Sequence, residues 1–254
     1  MESLRPVLLH IPHSSTLIPE KWRHIFHLSD IDLNRELVTM TDSYTDELFA
    51  GELTDQLTFP ASRLLVDPER FESDADEPMS AQGMGAVYEK THDGRPLKSI
   101  SARQTLIDEY YTPHHEQFNS RVRAMLEQFD SALIIDCHSF PSTPLPCDLD
   151  QTPDRPDICI GTVPFHTPEE LLNLTEQLFS DQGYSVLVDR PYAGSIVPSE
   201  FWLTDPRVHS IMIEVNRKLY MDESTGAKNK GFDQIKRDVR SALQAMAHYT
   251  SVRR

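Results

Sequence analysis

The sequence predicts an α/β fold: a mixed, mainly parallel sheet with helices on both faces, built as a single domain over residues 1–254. Three observations carry that prediction. Short runs rich in Val, Ile and Leu recur along the chain and read as buried strands. Segments with helical periodicity alternate with them, as the units of a parallel sheet require. No linker, internal repeat or low-complexity tract divides the 254 residues, a length that suits one large core.

Val7–Ile11 is the first predicted strand, and residues 1–6 lead straight into it without the apolar stretch of a signal peptide. Ser29 is placed to cap a helix that opens at Asp30-Ile31-Asp32. That helix runs through Leu37 and on to residues 46–49, with a break near Thr41-Asp42. Residues 61–66 read as the second strand and end in Asp67-Pro68-Glu69-Arg70. The acidic segment 72–98, with Gly83, Gly85 and Gly94, predicts a long surface loop. Residues 101–129 have helical spacing, with Leu106, Tyr110, Phe118, Val122, Met125 and Leu126 near one face. Pro113 kinks that helix or begins a new one. Residues 132–135 form the third strand, and a Pro-rich passage covers 141–156. A strand near 158–162 follows, then a helix over 168–182 closed by Gly183. Strands at 185–188 and 209–215 and a terminal helix over 232–249 complete the pattern.

A hydrophobic fraction of 39% beside 25% charged residues belongs to an ordinary globular chain. The formal charge of -16 argues against nucleic acid as a partner, because a polyphosphate needs a basic footprint. No apolar run approaches the ~20 residues that span a bilayer, so no membrane partner is expected. Cys137, Cys147 and Cys159 are odd in number and lack CxxC spacing. That argues against a disulfide framework or zinc ribbon and for a reducing, cytoplasmic setting. A chain this negative that binds a small anion must attract it locally, through arginines.

Strand ends carry the chemistry. Val7–Ile11 runs into Pro12-His13-Ser14-Ser15, residues 132–135 into Asp136-Cys137-His138-Ser139, and Ile211-Met212-Ile213 into Glu214-Val215-Asn216-Arg217. In open α/β sheets ligands collect beyond the carboxyl ends of strands. Two histidines delivered there supply metal ligands, and a glutamate supplies a general base. His13 and His138 are therefore the predicted ligands of zinc or another divalent ion, with Asp136 facing the same way as His138. His10 lies inside an apolar run and reads as hydrogen-bonded support. A tetrahedral zinc needs a third protein ligand. Asp42, in Thr41-Asp42-Ser43-Tyr44, is the choice, with Glu20 as the alternative. Glu214 enters the core, where an unpaired charge is costly. It is either paired, with Arg217 or another cation, or tuned as a general base. His114 and His115 are further histidines that a site could use. Arg63 and Arg70 bracket the second predicted strand and, with Arg103, Arg190 and Arg217, are candidates for clamping a carboxylate bidentately.

These motifs resemble the N-formylglutamate amidohydrolase family along nearly the whole chain. The likeness runs through Ile11-Pro12-His13-Ser14-Ser15 and Thr41-Asp42-Ser43-Tyr44-Thr45-Asp46-Glu47-Leu48, then Ser62-Arg63-Leu64-Leu65-Val66-Asp67 with Arg70. It continues through Asp136-Cys137-His138-Ser139, Arg190-Pro191-Tyr192-Ala193-Gly194 and Ile213-Glu214-Val215-Asn216-Arg217-Lys218-Leu219-Tyr220-Met221. The resemblance implies a fold related to the zinc carboxypeptidases, a phosphorylase/hydrolase-like sheet. It also implies a metal-dependent amidohydrolase of a small anionic N-formyl or N-acyl amino acid. N-formyl-L-glutamate comes first, giving glutamate and formate. On this reading His13, Asp42 and His138 hold the metal, Glu214 moves the proton and Arg63 meets the oxyanion. Arg70, Arg217, Arg190, Tyr192, Gly194 and Asn216 face the substrate. Two other readings stay open: a deacylase or carboxypeptidase for another N-acyl amino acid, and a non-catalytic relative that only binds its ligand.

Overall fold

Six strands form one mixed sheet in the computed structural model of the chain, which describes residues 7–51 and 54–249. Across the sheet they run β2 (Thr54–Thr58), β1 (Val7–Ile11), β3 (Ala132–Phe140), β6 (Val208–Asn216), β4 (Ile158–Gly161) and β5 (Val186–Val188). β2, β1, β3 and β6 are mutually parallel, while β4 pairs antiparallel to β6 and parallel to β5. The sheet is thus mixed with parallel pairing in the majority. The expectation for residues 1–6 lies outside the described residues.

Alternation along the strands gives the sheet two different faces. On one, Val7, Leu9, Ile11, Leu133, Ile135, Cys137, Ile211, Ile213 and Val215 are buried in a single cluster. Helices α6 (Glu169–Asp181) and α7 (Phe232–Tyr249) and the short α3 (Thr45–Leu48) add to it through Leu171, Phe179, Val239, Leu243 and Leu48. On the other face, Leu8, Ile134 and Val208 pack under α5 (Thr112–Phe129) through Phe118, Val122, Met125 and Leu126. A further cluster, beside the sheet, gathers Trp22 of α1 (Glu20–Arg23), Leu33 and Met40 of α2 (Asp30–Met40), and Leu106 of α4 (Arg103–Leu106). Among the described residues no helix is long and apolar enough to cross a membrane.

Helix boundaries follow local chemistry. The Ser29 hydroxyl accepts from the Asp32 amide at 3.2 Å and caps α2. Thr41 turns extended to end that helix, and Tyr44 adopts φ 68° before α3 begins, which is the break expected near Thr41-Asp42. A π-helical turn, Ile107–Tyr111, joins α4 to α5, and Pro113 falls in the first turn of α5. Its missing amide hydrogen costs nothing there.

Three expectations need correction. Residues 61–66 form no strand; they fold as buried turns, with the Leu65 amide donating to the Ser62 carbonyl at 2.8 Å. The apolar run reports burial in the cluster beside the sheet, which turns satisfy as well as strands do. The strand beside β1 at that edge is β2, whose Thr-Asp-Gln-Leu-Thr sequence buries only Leu57 and so gives almost no periodic signal. β3 extends to Phe140, so Asp136 and His138 lie within the strand rather than at its exit. The segment 72–98 is exposed at 71–76 but buries Met84, Ala86, Val87, Tyr88, Leu97 and Lys98. The Lys98 ammonium donates to the Leu64 carbonyl at 2.6 Å and the Tyr88 carbonyl at 2.5 Å, tying this segment to residues 61–66.

Candidate active site

Register places the first site residues. In the parallel ladders His10 sits opposite Asp136, and His138 opposite Glu214. All four point to the α5 face, which is apolar at Leu8 and Ile134 and becomes ionisable two residues further along. Asp136 Oδ1 accepts from His10 Nδ1 and from His138 Nε2, each at 3.0 Å, and its Oδ2 accepts from the Ile196 amide at 3.0 Å. His10 Nε2 meets His114 Nε2 at 2.9 Å behind the site. Burial, with the charge of His10 adding, pushes His114 down to about 2, so that ring is neutral and accepts.

His13 reaches the same place from the loop after β1. Its Nε2 donates to Asp67 Oδ1 at 2.8 Å, which leaves a lone pair on Nδ1. That nitrogen is buried and has no hydrogen-bond partner. Asp67 Oδ1 also accepts the Glu69 amide at 3.0 Å, so one carboxylate fixes both the His13 ring and the Glu69 backbone. Glu69 then lies 3.8 Å from His13 Nδ1 and 3.2 Å from His138 Nε2. Ligand atoms of His13, Glu69 and His138 all lie within 4.8 Å of one another. Two imidazoles and a carboxylate are a donor set for a divalent ion such as zinc, and the orphaned Nδ1 lone pair is what such a set requires. These residues fit the ion.

Charge in this pocket is tightly matched. Burial works against the cation at His138, yet Glu69, Asp136 and Asp42 outweigh it and hold its pKa well above the usual range. Burial likewise opposes the anion at Glu69, but His138, His10 and His13 hold it well below. Glu214 differs. Burial raises it to about 8, with His138 and Arg217 opposing and Asp42 and Glu69 adding. Its Oε2 is buried and has no hydrogen-bond partner.

Asp42, the carboxylate expected to complete the ligand set, lies beside both histidines and also meets Arg217. Its Oδ1 accepts from Arg217 Nη2 at 2.8 Å and its Oδ2 from His138 Nδ1 at 3.0 Å. It stands 3.5 Å from His13 Nδ1, beside both histidines, with its charge already balanced by Arg217. Glu69 is a second carboxylate beside the same two histidines, and Glu20 is exposed on α1. Glu69 could have been read from sequence by the rule that found the histidines, since it follows the apolar run 61–66. Arg217 is not the partner of Glu214; it donates to Asp42, to Ser139 and to the Thr39 carbonyl.

A cavity of about 1030 Å³ opens over this cluster. Arg63, Arg70, Arg217, Tyr192, Gly194 and Glu214 line it, as do His13, Asp42, Glu69 and His138. Arg63 donates to Asp67 Oδ2 at 2.9 Å and to the Tyr88 hydroxyl at 3.3 Å. The Arg70 Nε is buried without a hydrogen-bond partner, 3.7 Å from Asp67. The Tyr192 hydroxyl accepts from Arg155 at 3.1 Å and donates to Asp148 at 3.2 Å. Gly194 turns at φ 92°, and its carbonyl lies where a Cβ on Gly161 would stand, 2.1 Å away. Glycine at 161 thus lets the 193–195 stretch cross the end of β4. His115 also lines the cavity, donating from Nε2 to the Pro68 carbonyl at 2.8 Å, and burial lowers it to about 4.

Two expected substrate contacts fall outside. Arg190 is exposed and pairs with Asp150 at 3.3 Å beside a separate small pocket. Asn216 is fully buried, donating to the Pro156 carbonyl and accepting from the Lys218 amide. Arg103, a further candidate, is held by Asp74 on the surface.

Comparison with known proteins agrees with this architecture. A curated relative, the N-formylglutamate deformylase of Pseudomonas putida, is 24% identical over 231 residues, spanning 86% of this chain and 83% of that protein. The crystal structure of N-formylglutamate amidohydrolase from Ralstonia eutropha JMP134 superposes with TM-score 0.83 at 23% identity, covering 98% of this chain and 95% of the other. A gene product of Agrobacterium tumefaciens gives TM-score 0.64 at 16% identity, covering 96% and 92%. At those identities the likeness to the solved structures is one of fold. The family model for N-formylglutamate amidohydrolase matches residues 5–221, a span that takes in all six described strands and the whole histidine–carboxylate cluster. The chain belongs to the N-formylglutamate amidohydrolase family and is a hydrolytic enzyme.

Proposed function

We propose that the chain works as one metal-dependent amidohydrolase domain that cleaves N-formyl or N-acyl amino acids. N-formyl-L-glutamate is the reference substrate, giving L-glutamate and formate. The observation that carries this reading is Glu214: a buried carboxylate with an unpartnered oxygen, facing a cavity beside the His13–Glu69–His138 cluster. The names of the relatives from Pseudomonas putida and Ralstonia eutropha support the substrate. Kinship with the zinc carboxypeptidases belongs to the same reading, as does a cytoplasmic setting, which the three free buried cysteines suit.

His13, His138 and a carboxylate beside them, Glu69 or the expected Asp42, are the residues that would hold the ion, with Asp67 orienting the His13 ring through its opposite nitrogen. A divalent ion bound there supplies Lewis acidity, which activates water near neutral pH and polarises the scissile carbonyl. Glu214 takes the proton from the attacking water and delivers it to the departing amine nitrogen. Its raised pKa suits the second half of that task, since a carboxyl that holds its proton near neutrality is a competent acid. Arg63, oriented by Asp67 and Tyr88, points its remaining donors at the carbonyl oxygen as negative charge grows there. Arg70 receives the substrate carboxylate. Formate release from N-formyl-L-glutamate, measured with and without a chelator, tests the reading. Release that a chelator leaves untouched removes the metal from it, and no release from any N-formyl amino acid removes the reaction.

A further inference from the structure

Most charged groups that line the cavity already have a partner. Asp42, Glu69, Asp136, Asp148 and Glu214 all contribute carboxylates to its lining, along with Glu72 and Glu116 nearer its mouth. Against them stand Arg63, Arg70, Arg217 and the His138 cation, with Arg155 behind Asp148. Arg217 is committed to Asp42, Ser139 and Thr39, and Arg63 shares Asp67 with the Tyr88 hydroxyl. Arg70 alone among these presents a guanidinium with no hydrogen bond among the described residues. The 193–195 stretch adds no charge: Ala193 and Gly194 have none to give, and the Ser195 hydroxyl is held by Ser210 at 2.6 Å. Arg70 is thus the place for a substrate carboxylate, and a second carboxylate would meet no other guanidinium without a hydrogen bond.

Part of the cavity wall is apolar. Met40, Met84 and Cys147 are buried members of one hydrophobic cluster, Met79 and Leu145 pack against it, and all five line the cavity. Tyr111 packs on the same cluster and donates its hydroxyl to the Arg70 carbonyl at 2.9 Å, which fixes the wall beside the arginine. Methionine-rich walls adapt to bulky apolar groups without a fixed shape. The cavity volume, about 1030 Å³, leaves ample room for such a group.

We infer that the site selects N-acyl amino acids with a single carboxylate and a large apolar side chain over dianionic N-formyl-L-glutamate. Arg70 takes the carboxylate and the methionine-lined wall takes the side chain. The catalytic half of this inference rests on the amidohydrolase reading; the binding half does not. Isothermal titration of the metal-free chain with N-formyl-L-methionine, N-formyl-L-leucine and N-formyl-L-glutamate measures the binding half. Formate release by zinc-supplemented protein from the same three compounds measures the catalytic half. The expected result is tighter binding and a higher kcat/KM for the apolar pair, by roughly tenfold to a hundredfold, the range that a well-filled apolar pocket confers. Met79→Lys, at a half-buried wall position, should shift the ratio back toward the glutamate derivative. Binding of N-formyl-L-glutamate as tight as that of the apolar pair overturns the inference, as does faster turnover of it, and either leaves the hydrolase reading intact. Preferential binding of the apolar pair with no formate released from any compound sinks the hydrolase reading instead and leaves the selectivity standing.

Discussion

β1, β3 and β6 present two faces made from alternating residues of the same strands, and the two are built to opposite rules. On the α6/α7 face Leu9, Ile135, Cys137 and Ile213 are fully buried among apolar neighbours, so every added contact stabilises the fold. On the α5 face His10, Asp136, His138 and Glu214 occupy positions one residue away, nearly as buried, and hold charge in a place that disfavours it. His10, Asp136 and His138 satisfy one another, whereas one oxygen of Glu214 is left over. The lesson of the contrast is that a face carrying buried charge is tolerated because the other face carries the stability, and that Glu214, with an oxygen left over on the charged face, is the residue to which the proposed chemistry is assigned.

The sharpest way to break the contrast is Glu214→Gln. Turnover should fall roughly 10²- to 10⁴-fold, the worth of a positioned acid–base group, with thermal unfolding at neutral pH no lower than in the parent. Near-native formate release by that variant removes Glu214 from the mechanism. Ile135→Ala, across the sheet, should do the reverse. A loss of about 2–5 kcal/mol in denaturant unfolding is expected, with kcat unchanged in the folded fraction. Loss of kcat at full stability there means that the faces are not separable.

Asp67→Asn sharpens the same point one shell out. It keeps the shape but loses the anion that orients His13, and zinc affinity should weaken about 10- to 100-fold in a competition titration. Unchanged affinity means that His13 is oriented by something else. A subtler effect concerns pH. Burial raises Glu214 from 4.5 to about 8, so the folded metal-free chain holds a proton that the unfolded chain releases between those values. A folded state that binds the extra proton loses stability as pH rises through that window. The Tm of the metal-free parent should therefore fall more steeply from pH 4.5 to about 8 than that of Glu214→Gln, and equal slopes refute the raised pKa. The smallest effect is expected at Arg190→Ala, outside the cavity: stability within about 0.5 kcal/mol of the parent and unaltered kcat/KM. A clear rise in KM restores Arg190 to the substrate.

Much of this was legible in the residues because it depends on local periodicity. β1, β4, β5 and β6 fall within a residue or two of the apolar runs that announce them, and Ser29 and Pro113 mark helix starts by chemistry that acts over one turn. The edge strand β2 was not legible, since a strand with one buried side chain has no pattern to detect. The run at 61–66 misled for the complementary reason: its apolar residues report burial, and turns can be as buried as strands.

At the site the division is the same. The sequence by itself determined that His13 and Glu214 stand at or near strand ends, and that Asp136 and His138 share a face, because backbone geometry repeats every two residues. Only the tertiary structure decided that Glu69 joins Asp42 beside the histidines and that Asp42 also answers Arg217, a partner 175 residues away. It alone left Arg70 without a hydrogen bond, 3.7 Å from Asp67, and turned Arg190 outward. Pairing among charges is settled by distances through space, and a chain that brings many carboxylates to one cavity offers many pairings on paper. Burial selects the few that leave no charge unmatched, and that selection exists only once the chain has folded.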